Sequence, residues 1–197
     1  MSSPHALTGK PFDKDELTSR QFALFVALAS SGMLFAALML SYFLARARVP
    51  AWPPLGVEPV PPLIPLLSIP VLAIISGFLH LAWKRWLAAD LAGFRKAWTV
   101  ASIAGTAFLG LQVGLWIHLS QLGIRVDANL FSSVIWVLTV VHATHVLVAV
   151  ALLWRLQFRI LRPDGVRALS PESPRLVGYF WHFLDAVWII LVASLLW

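Results

Sequence analysis

The 197-residue chain contains no cysteine, which excludes disulfides, iron–sulfur clusters and thiolate metal sites together. Charge is nearly as scarce: 12% of residues are Asp, Glu, Lys or Arg, against about a quarter in a soluble globular domain. An ordinary water-soluble fold is thereby ruled out. Similarity between the two halves of the chain is also missing, which argues against the inverted-repeat architecture of many transporters. The opening MSSPHALTGKPFDKDELTSR has no short apolar core with a small-residue cleavage site, so residues 1–20 read as a polar cytoplasmic tail rather than a signal peptide.

What is present is apolar. Hydrophobic residues make up 59% of the chain and the mean hydropathy is +0.81. The few charges are confined to borders: Arg20 and Arg46 bracket one uncharged run, Glu58 and Lys84 a second, Lys96 and Arg125 a third, Asp127 and Arg155 a fourth. A fifth apolar run, 176–197, is interrupted by His182 and Asp185. A hydrocarbon core about 30 Å thick is crossed by about 20 apolar helical residues, so each run can span once. One central Asp is outweighed by the strongly apolar residues around it. The sequence therefore predicts an all-α polytopic membrane protein. Its single membrane domain, 21–197, is a bundle of five transmembrane helices at about 21–45, 63–83, 97–120, 130–154 and 176–197.

The basic residues set an orientation. Lys10, Lys14, Arg20, Lys84, Arg85, Arg95, Lys96, Arg155, Arg159, Arg162, Arg167 and Arg175 fall on one side, against Arg46, Arg48 and Arg125 on the other. The positive-inside rule then puts the N-terminus in the cytoplasm and the C-terminus outside. This topology accounts for the net charge of +6 and the pI near 10.5, and no nucleic-acid partner is needed to explain them.

Polar side chains inside the spans are the candidate functional residues. His142 and His145 share a helix face in HATH, and His182 and Asp185 share one in YFWHFLDAVW, because three residues turn a helix by about 300°. Counted from the cytoplasmic helix boundaries, Ser31, His145 and Asp185 lie in one layer, roughly 14 Å deep. A cluster of Ser31, His142, His145, His182 and Asp185 is geometrically possible, and burial of an acid at that depth favours pairing. Four roles compete for it. A mononuclear metal site from three His and one Asp is conceivable, as is bis-histidine heme ligation. A proton path is chemically plausible, but one polar layer does not cross the bilayer. The favoured role is structural, with hydrogen bonds of roughly 0.6–2 kcal/mol tying helices together. Gln112 is expected to add an interhelical hydrogen bond. Ala27 with Ser31, Gly32 with Ala36, and Ala37 with Ser41 are small-residue pairs suited to close helix packing.

Several of these stretches resemble subunit III of heme-copper terminal oxidases, the cytochrome c and quinol oxidase subunit 3 family, in its short five-helix form. YFWHFLDAVW resembles its last-helix pattern YWHFVDxVW, HATHVLVAV its HGxHVxxG helix, FLGLQVGLW its FLxxQxxEW segment, and SSGMLFAALMLSYFLAR its first conserved helix. The resemblance spans essentially the whole membrane part. It implies a non-catalytic subunit of a bacterial inner-membrane oxidase, with oxygen reduction and proton translocation belonging to the complex. On this reading no catalytic residue, metal, heme or copper lies in this chain. Hemes and copper sit in partner subunits, phospholipid binds in a cleft, and catalytic subunit I is the partner. The chain would then support assembly, stability and proton uptake. Ser31 and Leu115 stand where the family usually has glutamates, Ser68 and Ile69 replace an Asn-Thr pair, and Ala149 replaces a Gly. Loss of the first glutamate leaves Asp185 as the expected acidic partner of the HATH imidazoles. The same departures keep a subunit III-like accessory protein of nitric oxide reductase as an alternative, and an independent transporter as a more distant one.

Overall fold

The computed structural model describes residues 14–162, 165, 169, 170 and 172–196. All its elements are helices: α1 Lys14–Ala47, α2 Leu63–Leu87, α3 Leu91–Gln121, α4 Leu130–Ile160 and α5 Ser173–Leu196. All five are long and apolar enough to cross a membrane. Most begin or end beyond the apolar limits read from the sequence. The charges mark where hydrocarbon ends, whereas the backbone hydrogen-bond ladder continues until a cap stops it. Thus α1 starts at Lys14 within the stretch expected as a polar tail, and residues 1–13 lie outside the described part.

The caps are local and specific. Asp90 ends the α2–α3 turn and accepts the Gly93 amide at 2.9 Å while Arg85 donates to its other oxygen at 2.8 Å. The Gly93 amide and then Arg85 hold the Asp90 carboxyl below its ordinary value of 3.8. A lowered folded pKa means that this cap contributes above the unfolded value and fades as pH falls through the folded one. Asn129 caps α4 by accepting from the Ser132 amide at 2.9 Å. Gly123, at φ 75°, closes α3 in the left-handed conformation that a side chain would strain. Short turns make α2, α3 and α4 antiparallel neighbours. Between α1 and α2, Trp52 packs edge-on to Tyr42 and Phe131 at 5.5 and 5.0 Å, which fastens the proline-rich connection to the bundle end.

Helices α2 to α5 form the packed body. Trp86, Trp98, Phe94, Phe108, Trp181 and Trp188 are fully buried there. Some indole N–H groups find acceptors on a neighbouring helix, as Trp98 does with the Leu153 carbonyl at 3.1 Å and Trp116 with Thr139 at 3.1 Å, whereas those of Trp86 and Trp181 are buried without one. Helix α1 lies against α4 and α5 only along a narrow seam. Phe35 and Tyr42, two turns apart, are its large buried side chains, and the Tyr42 hydroxyl donates to the Ser194 carbonyl at 2.6 Å. Of the small residues expected to pack this helix, Gly32 faces Phe183. Ala27, Ala36, Ala37 and Ser41 instead point outward, because the aromatic pair sets the rotation of α1.

Candidate functional site

The polar residues singled out in the sequence divide into two groups. On α4, His142 is 1% exposed and lies in an aromatic box. Its ring stacks on Trp188 at 4.9 Å, with Phe108 and Phe35 at 6.3 and 6.2 Å. Both of its ring nitrogens are enclosed without a hydrogen-bond partner. His145, one turn on, turns Nδ1 to the Val141 carbonyl of its own helix at 2.8 Å and packs on Phe35 at 5.1 Å. Trp188 is the box's anchor: its Nε1 donates to Ser68 Oγ at 2.6 Å, and Ser68 in turn donates to the Pro65 carbonyl at 2.5 Å. A relay of indole, hydroxyl and carbonyl therefore joins α5 to the start of α2.

The second group lies between α2 and α5. Ser76 donates to Asp185 Oδ2, and the same hydroxyl lies 3.0 Å from His182 Nδ1. His182 Nδ1 is 3.7 Å from Asp185 Oδ2. Asp185 thus pairs with Ser76 on α2 and not with His142 or His145 on α4, contrary to the expectation of one shared cluster. Equal depth is necessary for contact but not sufficient, because azimuth decides which neighbour a side chain meets. Asp185 meets Ser76 on α2, whereas Trp188, three residues on, stacks on His142 of α4. Ser31 is half-buried on α1, and its hydroxyl has no hydrogen-bond partner among the described residues. Gln112 is 1% exposed with neither amide atom paired, so it does not form the interhelical bond expected of it.

This arrangement bears on chemistry. Among the described residues, no three His, Asp or Glu side chains converge as a metal-binding group. The two α4 imidazoles pack around one phenylalanine rather than facing across a space that could admit a heme. Ser76, His182 and Asp185 have the composition of a hydrolytic triad, but serine and acid address the same ring nitrogen. A general-base histidine needs them on opposite nitrogens. What remains is a hydrogen-bonded tie between helices. Sequence reasoning missed Ser76, although the depth count would have found it: it precedes Lys84 by about two turns, the layer of Asp185.

The tie is testable in the isolated chain. Asp185→Asn keeps an acceptor for Ser76 and is expected to cost less than about 1 kcal/mol, whereas Asp185→Leu removes it and is expected to cost about 1–2 kcal/mol. Unfolding titrations in mixed micelles should also show Ser76→Ala and Asp185→Leu to be non-additive. Equal losses for Asn and Leu would contradict the pairing.

A family model described as cytochrome c oxidase subunit III matches residues 16–197. This chain belongs to the cytochrome c oxidase subunit III family. Among its relatives, cytochrome c oxidase subunit 3 of Thermostichus vulcanus is 30% identical, covering 89% of this chain and 86% of its own length. The Synechocystis subunit is also 30% identical, covering 87% and 72%. A probable cytochrome c oxidase subunit 3 of Nocardia farcinica is 32% identical, covering 85% and 82%. These likenesses support a subunit III role in a heme-copper oxidase and do not favour the nitric oxide reductase alternative. Leu115, where subunit III usually has a glutamate, is 1% exposed inside the core. Ser68, another departure, is the acceptor for Trp188.

Proposed function

We propose that the chain is the non-catalytic third subunit of a bacterial respiratory heme-copper oxidase. It packs against catalytic subunit I, supports assembly, turnover stability and proton uptake, and leaves hemes and copper to its partners. It lies in the cytoplasmic membrane with its N-terminus inside, as the distribution of its basic residues indicates. The observation that carries this reading is the family match across 16–197, joined to imidazoles that are packed rather than poised to ligate. A groove of about 600 Å³ between α1, α4 and α5 supports a bound phospholipid. Arg20, Arg155 and Arg159 line it beside Leu24, Leu152 and Phe180, which offers a place for an anionic headgroup above apolar walls.

Gentle affinity purification of this chain tests the reading. The native preparation is expected to contain the oxidase subunits and a reduced-minus-oxidised heme spectrum, and the chain purified alone is expected to lack a Soret band. Arg155→Gln together with Arg159→Gln should lower co-purified phosphorus without loss of subunits. A stoichiometric heme in the isolated chain would overturn the proposal.

A further inference from the structure

His182 bonds inward through one ring nitrogen only and leaves much of its ring on the outer surface of the bundle. Its side chain is 47% exposed, while that of Asp185 beneath it is 14% exposed. Ser76 donates to Asp185, and the same hydroxyl lies 3.0 Å from His182 Nδ1, so Nδ1 is engaged on the inner side and Nε2 is the ring's outward polar atom. By helix rise, Ser76 and His182 sit roughly 9–12 Å inside the boundary marked by Lys84 and Leu176. Hydrocarbon offers that nitrogen no hydrogen-bond partner, and lipid headgroups do not normally reach this depth.

We propose that this face of α5 docks a transmembrane helix of another oxidase subunit, one that presents a hydroxyl or amide side chain to His182 Nε2. The surrounding surface suits a helix: Ala186, one turn on, is small and exposed, with Ile189 and Ile190 exposed beyond it. Gly77 on α2, next to Ser76, is also open, with no atom within 4 Å of where a Cβ would stand. The inference rests on the proposed assembly with oxidase subunits and adds where one contact lies.

The test uses the intact complex, isolated through a tag on the catalytic subunit and washed with increasing detergent. His182→Leu is expected to weaken retention of this chain about three- to tenfold, as loss of one intramembrane hydrogen bond implies. His182→Gln, which keeps a hydrogen-bonding side chain, is expected to stay within about twofold. The isolated His182→Leu chain should unfold like the unaltered one, since the lost bond is intermolecular. Independently, a benzophenone amino acid at Ala186 should crosslink to another subunit. Unchanged retention of His182→Leu, or a crosslink to lipid alone, would overturn the proposal even where a variant folds poorly. Failure of the unaltered chain to co-purify would instead defeat the assembly reading, and this proposal with it.

Discussion

Trp188→Ala is expected to destabilise the isolated chain by about 3–5 kcal/mol, the range for removing a large buried aromatic. Trp188 is 0% exposed and is the point where three interactions meet. Its ring stacks on His142 at 4.9 Å, Phe108 meets it edge-on at 5.7 Å, and its N–H reaches Ser68 at 2.6 Å. A bilayer supplies no hydrophobic drive between helices, so this packing and the Ser68 bond, together with the Ser76–Asp185 tie, hold α5 against α2, α3 and α4. Trp188→Phe keeps most of the stacking and loses the Ser68 bond, and is expected to cost about 1 kcal/mol from that bond. Detergent-denaturant titration followed by tryptophan fluorescence or circular dichroism would measure both. A Trp188→Ala chain within 1 kcal/mol of the unaltered one would show that the box contributes little.

Gly105→Leu is expected to be comparably damaging, at about 3 kcal/mol, for the opposite reason. A Cβ at Gly105 would stand 3.3 Å from Leu153 and 3.4 Å from both Trp181 and Val150. Helix α3 therefore meets α4 and α5 at a point with no room for more than a methyl group. Gly105→Ala asks these neighbours to give by a few tenths of an ångström and is expected to cost about 1 kcal/mol. Leucine has nowhere to go without separating the helices. The same titration would distinguish the two, and a Gly105→Leu chain as stable as the alanine variant would mean that the three helices can part at no cost.

The two sites were legible to different degrees. HATH and HFLD advertised themselves because ionisable side chains are rare in hydrocarbon, and their three-residue spacing identified His182 and Asp185 as neighbours, as observed at 3.7 Å. Ser76 is an ordinary serine in an oily run, and only proximity to Asp185 gives it meaning. Trp188 looked like one of ten tryptophans. Nothing in its local pattern says that it stacks on His142 from another helix. Gln112 carries a polar side chain but no information about whether a partner waits for it.

By itself the sequence determined that this chain crosses a membrane five times, where each crossing lies to within a turn or two, and to which family its motifs belong. Those properties follow from the length of apolar runs and the cost of burying charge, which are local to each segment. Only the tertiary structure decided that Asp185 turns to Ser76, that Trp188 stacks on His142, and that His182 is left facing outward. Those outcomes depend on how each helix is rotated about its axis. That rotation is set by the shapes of several helices meeting at once, with Gly105 admitting α4 and α5 and Phe35 and Tyr42 seating α1.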